Sequence, residues 1–296
     1  MKILLFGKNG QVGWEMQRAL VPFGRITALD RHSAEYCGDF TKPSEIAETV
    51  KRISPDIIIN CAAYTSVDGA ENERKTAMLV NYYSVEAIAK SACLCGALLV
   101  HYSTDYVFDG RGDHWWKEDD RTAPLNFYGE SKLAGEQAVL TYAQNYLIFR
   151  TSWVYASRGN NFIKTIIRLA GQRKHLNVIN DQYGVPVGAE LIADYTAYAL
   201  RNTLASPQLS GIYHLVASGI TTWYDYAVTI ISQLRARGLP VMATDINAVP
   251  GSAFPTPACR PANSRLCTEK FRQNFFVNLP DWRHGVVRVI DELYCN

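Results

Sequence analysis

Tyr128 and Lys132 stand four residues apart in the stretch Tyr128-Gly129-Glu130-Ser131-Lys132. On a helix that spacing puts a phenol and an ammonium on one face. A phenol titrates near ~10, so its use as an acid or base near neutrality asks for about 3 units, or ~4 kcal/mol. A cation ~4 Å away supplies about that much at an effective dielectric of ~20. The same pair could be two exposed side chains of a surface helix, so its context decides. Ser103-Thr104-Asp105 closes an apolar run just upstream. That is the end of a strand where a doubly wound sheet binds its ligands, so Thr104 and the Tyr–Lys pair can face one site.

A second chemical signal opens the chain. Gly7, Gly10 and Gly13 are spaced G-x-x-G-x-x-G in Gly7-Lys8-Asn9-Gly10-Gln11-Val12-Gly13, between an apolar run and a helical pattern. Gly7 permits a tight turn, Gly10 lets backbone approach a pyrophosphate, and Gly13 lets the helix sit close to the strand. The free amides and positive helix end would then face the phosphates. A plain turn with glycines for steric reasons is the alternative. Asp30 follows the second apolar run, where a carboxylate would bind ribose hydroxyls or, more simply, cap a turn. Its charge favours NADH, while Arg31 beside it suits the 2′-phosphate of NADPH. Asp39-Phe40 could bracket an adenine, or Phe40 could be core.

The elements that must position these groups alternate. Strands are expected over 2–6, 26–29, 57–60, 97–102 and 146–151, with helices from Val12, over 44–53, from about 71 to 95, and over 128–143. Parallel strands linked by helices imply an α/β fold, a Rossmann-type doubly wound sheet with its ligand beyond the carboxyl ends of the strands. Residues 1–151 read as a dinucleotide-binding domain, with some later segments returning to it. Residues 152–296 read mainly as a smaller mixed α/β substrate lobe, with helices over 162–173, 190–203 and 223–237.

The chain has 296 residues, 48% hydrophobic and 20% charged, with 30 basic and 28 acidic residues for a net charge of +2. No basic block supports nucleic-acid binding, and no apolar run is long enough to span a membrane. Seven cysteines (Cys37, Cys61, Cys93, Cys95, Cys259, Cys267, Cys295) include no C-x-x-C pair. With no signal-peptide core, they suggest reduced thiols in a cytoplasmic protein.

Further segments carry a specific likeness. They are Asn60-Cys61-Ala62-Ala63-Tyr64-Thr65, Ser103-Thr104-Asp105-Tyr106-Val107-Phe108, Arg150-Thr151-Ser152-Trp153-Val154-Tyr155, Asp181-Gln182-Tyr183-Gly184-Val185-Pro186, and Arg260-Pro261 with Asn263-Ser264-Arg265-Leu266. With the Tyr–Lys pair, they make the chain similar to the extended short-chain dehydrogenase/reductases and, within them, to the dTDP-4-dehydrorhamnose reductase family. The likeness runs nearly end to end. It implies reduction of the C4 keto group of dTDP-4-dehydro-L-rhamnose by NADPH or NADH, the last step to dTDP-L-rhamnose for surface polysaccharide.

The resemblance also implies roles. Gly10, Gln11 and Val12 would line the pyrophosphate, Ala63, Tyr64 and Thr65 the middle of the cofactor, and Tyr102 its nicotinamide side. Tyr128 would protonate the substrate, with Lys132 tuning it and binding ribose. Thr104, Asp105 and Trp153 would touch the hexose, and Arg260 and Arg265 the diphosphate, as guanidinium grips phosphate bidentately. On residue type alone, Trp153 is as well read as core and each arginine as a salt-bridge partner. Tyr106 stands where related dehydratases carry a glutamate, implying reduction without elimination. Some relatives form homodimers bridged by Mg2+, with Glu15, Glu190 and Glu292 here at the matching positions, although three separate glutamates are usually solvated. Gly69, Val187 and Cys259 depart from the family pattern, and Cys259 puts the diphosphate contacts in doubt. A related 4-keto sugar nucleotide, or a non-catalytic dinucleotide-binding subunit, is the competing reading.

Overall fold

The computed structural model describes residues 1–294, so Cys295 lies outside the described residues. In chain order the first half contains β1 (Lys2–Phe6), α1 (Gln11–Ala19), β2 (Arg25–Leu29), α2 (Pro43–Ile53), β3 (Ile57–Asn60), α3 (Val67–Asn72), α4 (Arg74–Met78), α5 (Ser84–Cys95), β4 (Leu98–Thr104), α6 (Phe127–Tyr142) and β5 (Asn145–Thr151). The second half adds β6 (Val154–Tyr155), α7 (Phe162–Ala170), β7 (His175–Ile179), β8 (Tyr183–Gly184), β9 (Val187–Gly188), α8 (Ala189–Ala205), β10 (Gly211–His214), β11 (Thr221–Thr222), α9 (Trp223–Ala236), β12 (Asp245–Val249), α10 (Glu269–Phe275) and α11 (Trp282–Tyr294).

Six strands form one sheet in the order β10-β5-β4-β3-β1-β2, every pair parallel. Ile3, Leu4, Leu5 and Phe6 are all wholly buried, as are Ile57, Ile58 and Ile59. Such unbroken apolar runs suit strands covered on both faces, each side chain contributing ~1.5–3 kcal/mol by leaving water. Ile3, Leu5 and Met16 join one core, and Leu4, Phe6, Ile46 and Val50 join the other, so the sheet is doubly wound as expected. Chain direction changes between β1 and β3, and their carboxyl ends open a crevice at that switch.

Two departures from the expected elements matter for the site. The single helix expected from about 71 to 95 is broken into α3, α4, a π-helical turn at Leu79–Tyr83, and α5. The π turn carries Asn81, which is buried; its amide oxygen accepts the Tyr64 backbone N–H at 2.8 Å. Its nitrogen donates to the Tyr64 carbonyl and the Ser131 hydroxyl, both at 3.0 Å. One inserted residue thus ties the loop after β3 to α6, a frequent use of such bulges. The other departure is β10, which brings the chain back to the sheet beside β5. The rest of the second half supports β7 and β12, paired parallel, behind α7 and α9.

Candidate active site

Around the crevice, Gly7 adopts φ +82°, and a Cβ there would meet the Cys61 and Ala62 backbone at 2.7 Å. A Cβ on Gly13 would run into the Gly7 carbonyl. Trp14 is the first residue whose N–H bonds back along α1, to Gly10 at 2.9 Å, leaving the amides of Gln11, Val12 and Gly13 at the open helix end. Beside that end lies a cavity of about 640 Å³ whose walls include Gly7, Gly10, Asp30, Asp39, Phe40, Ala63 and Tyr64. These residues fit a dinucleotide: glycine contacts where only backbone can approach, free amides for phosphate, and a carboxylate at the rim.

Asp30 accepts the His32 N–H at 2.9 Å and a hydrogen bond from Asn9, with Lys8 at 3.9 Å, so it both caps its turn and faces the cavity. Asp39 accepts from the Thr41 N–H at 3.0 Å. Phe40 is buried edge-on against Phe6, at 5.2 Å between centroids, and belongs to the core as well as the cavity wall. Thr65 is exposed on the loop beyond, and Gln11 and Val12 do not line this cavity. Gln11 instead accepts from Asn161 of the second half at 2.9 Å. The Tyr102 side chain points away, its hydroxyl 2.9 Å from Thr196. Only its carbonyl faces the site, where it accepts from the Lys132 ammonium at 2.6 Å.

At the end of β4 the reactive types converge. Thr104 donates to Asp105 at 3.0 Å and accepts the Tyr106 N–H at 3.2 Å. Asn126 caps α6, accepting the Gly129 N–H at 2.9 Å, which fixes the first turn carrying Tyr128. Burial and the Asp105 carboxylate push the Tyr128 phenol up to about 12, with Thr104 pulling the other way. Burial pushes the Lys132 ammonium down to about 8, opposed by Glu136. The expected lowering of the phenol is not what this geometry gives: the phenol lies above its ordinary value, and the Lys132 ammonium donates to the Tyr102 carbonyl. Burial also drives Asp105 up to about 6. The Ser264 hydroxyl is near enough to favour its charge, yet Oδ2 completes no hydrogen bond.

A larger cavity of about 710 Å³ adjoins this point, walled by Tyr106, Trp153, Trp223, Gln182, Arg260 and Ser264 among others. Trp153 takes φ +48° and stacks on Trp223 with centroids 3.6 Å apart. Gly184 leaves room for the Trp153 ring, since a Cβ there would come within 2.7 Å of it. Arg260 donates to Asp68 at 2.6 Å at the cavity wall. Arg265 is placed differently from the expected diphosphate contact: it is buried, donates to the Asp113 carbonyl at 2.8 Å, and lies over the Tyr183 ring at 4.4 Å. Sequence reasoning missed Trp223 and Asn81, which carry no motif of their own, and gave no role to Gln182 although it lies in a quoted segment. It noted Tyr106 only for the acid it lacks, whereas its ring stands edge-on to Tyr128 at 5.6 Å.

Glu15, Glu190 and Glu292 line one shallow pocket away from this site. Arg288 pairs with Glu190 at 2.6 Å and with Glu292 at 3.4 Å, and Arg18 with Glu15 at 3.5 Å. Among the described residues no His, Cys, Asp or Glu group is arranged to hold a metal ion. No helix among the described residues is long and apolar enough to cross a membrane.

The sheet order and the glycine turn define a doubly wound α/β protein of the dinucleotide-binding class. A family model described as the RmlD substrate binding domain matches residues 1–295. A dTDP-4-dehydrorhamnose reductase of Escherichia coli K12 is 60% identical over 99% of this chain and 98% of its own. Two solved structures are similar as well. The dTDP-4-dehydrorhamnose reductase of Clostridium acetobutylicum has a TM-score of 0.88 at 32% identity, over 99% of both chains. That of Bacillus anthracis, solved with NADP, has a TM-score of 0.86 at 36% identity, over 98% of this chain and 99% of its own. The chain belongs to the dTDP-4-dehydrorhamnose reductase family.

Proposed function

We propose that this protein reduces the C4 keto group of dTDP-4-dehydro-L-rhamnose, giving dTDP-L-rhamnose. The observation that carries the reading is Thr104 at the end of β4 beside Tyr128 on α6, with Lys132 one turn further on held by the Tyr102 carbonyl, and with Tyr106, which touches both Thr104 and Tyr128, on the wall of a cavity large enough for a sugar nucleotide. A reduced nicotinamide in the crevice supplies the hydride for C4. Thr104 holds the ketone oxygen, and Tyr128 donates its phenolic proton to that oxygen as the carbon is reduced. A phenol is protonated at neutral pH, as a donor must be, and burial pushes this one further in that direction. The Lys132 ammonium, on the same helix face, stabilises the phenolate left behind.

The larger cavity takes the sugar nucleotide. Trp153, held by its stack on Trp223, forms a flat wall for the hexose, and Asp105 and Ser264 offer hydrogen-bonding groups beside it. Arg260 reaches the diphosphate by releasing Asp68, while Arg265 holds Tyr183 in place. Residues 1–151 with the returning β10 serve the cofactor, and the remainder of 152–296 serves mainly the substrate. The rim suits either cofactor form, Asp30 accepting from ribose hydroxyls and Arg31 meeting a 2′-phosphate. An Mg2+-bridged homodimer would require Arg18 and Arg288 to release their glutamates. Sizing with and without a chelator decides that point.

The experiment mixes protein, NADPH or NADH and dTDP-4-dehydro-L-rhamnose and follows cofactor absorbance. Oxidation of one cofactor per sugar, with dTDP-L-rhamnose as product, is expected. Tight cofactor binding without turnover would overturn the reading and leave a binding subunit.

A further inference from the structure

Glu136 lies one turn beyond Lys132 on α6, so Tyr128, Lys132 and Glu136 follow one another at four-residue intervals along one face. Glu136 is wholly buried and so, nearly, is Arg150 on β5. The guanidinium grips the carboxylate with two bonds, Nε to Oε1 at 2.9 Å and Nη2 to Oε2 at 2.7 Å. Its Nη1 donates to the Glu118 carbonyl at 3.1 Å, and its plane lies over Phe108 at 5.1 Å. Every guanidinium nitrogen is therefore engaged.

A buried ion pair is a poor device for stability alone, since an apolar pair of similar volume is often as good. This one stands beside an ammonium with few other partners. Glu136 on its own helix and His101 on β4 are the ionisable groups that interact with Lys132, and Tyr128 lies one turn before it on the same helix. His101 is buried with Nε2 unpartnered, and burial together with Lys132 holds it neutral. The Tyr102 carbonyl, accepting from the ammonium at 2.6 Å, and Glu136, which brings the opposite charge, offset the cost of a charged Lys132.

We propose that Glu136 and Arg150 are positioning residues for the reduction: the bidentate pair docks α6 onto β5 and holds a carboxylate where it keeps the Lys132 ammonium charged beside Tyr128. This rests on the reading of Tyr128 and Lys132 given above.

The test compares the parent with Glu136→Gln and with Glu136→Gln/Arg150→Met, measuring kcat/KM against pH, thermal melting and cofactor affinity. The double variant removes both members of the pair and leaves neither the guanidinium nor the carboxylate buried alone, so it is expected to fold even where the single variant does not. With the carboxylate gone, the alkaline limb should move about one to two units toward acid. Activity at pH 8 should then fall about tenfold or more while that at pH 6 stays within about threefold. Cofactor affinity should change little. A double variant that fails to fold, or that folds and keeps the parent's alkaline limb, assigns the pair to the fold alone and overturns the proposal. Tyr128→Phe, run alongside, separates the two claims. If it is as active as the parent, the reading of the site fails. If it is inactive while the folded double variant keeps the parent's profile, only the role of the pair fails.

Discussion

Asp105 is buried beside Thr104 and Tyr128 with its carboxyl pushed up to about 6, which sets folding against chemistry at that residue. Between about pH 4 and 6 the folded chain keeps a proton that the unfolded chain has lost, so this group's contribution to stability falls as pH rises through that window. Asp105→Asn should therefore raise stability at pH 8 by up to about 3 kcal/mol and give no gain at pH 4, as read by urea unfolding. The same change should lower turnover, since the carboxylate adjoins the reacting group. A variant less stable at pH 8 would contradict this account. At the cofactor rim, Arg31→Ala should raise KM for NADPH about tenfold and leave KM for NADH nearly unchanged, in steady-state assays with each cofactor. Tyr128, Lys132 and Thr104 were legible because helical spacing and a strand end determine where they lie. The partner of Lys132 was not, because a backbone carbonyl leaves no mark in sequence. Nor was the burial of Arg265, which reads from sequence as a diphosphate contact or a salt-bridge partner and here holds a loop carbonyl and a tyrosine ring.

Helix α6 carries the reacting phenol, and its position depends on close approach at two glycines. A Cβ on Gly129 would strike the Tyr106 carbonyl, and one on Gly135 the Asn81 carbonyl. Gly129→Ala should shift the first turn and lower kcat by about tenfold or more, since small misplacements near the chemistry are costly. Its stability loss should stay near 1–3 kcal/mol, the usual cost of overpacking. Equal losses in kcat and cofactor affinity would point instead to general disruption. At this scale the apolar runs announced β1, β3 and β5, whose burial on both faces leaves little room for another structure. The π turn at Leu79–Tyr83 was hidden because its residues are ordinary helix formers, and the insertion is held by tertiary bonds from Asn81. Strand β10 was missed because Ile212 and Tyr213 between Gly211 and His214 make no apolar run like that of β3; only its neighbour β5 makes it a strand.

At the scale of the molecule, two separate cavities are present, one at the glycine turn and one walled by Tyr106 and Trp153, and occupying either should stabilise the fold. A ligand present at ~100 times its Kd adds about 2.7 kcal/mol if it binds only the folded state. NADPH and dTDP should therefore each raise Tm by several degrees, measured by differential scanning fluorimetry, with the shift growing with concentration. A chain whose Tm responds to NADPH but not to dTDP would exclude the larger cavity as a nucleotide site. The two-part layout could be anticipated from the weakening strand–helix rhythm after residue 152, but the pairing of Trp153 with Trp223 could not, since seventy residues separate them. The central claim is the proton that Tyr128 gives to the ketone. It is tested most directly by the turnover of Tyr128→Phe with NADPH and dTDP-4-dehydro-L-rhamnose, alongside its cofactor affinity. We expect kcat to fall by about 10²–10⁴ while the cofactor Kd stays within about threefold. A phenylalanine variant that turns over within about tenfold of the parent would contradict the mechanism.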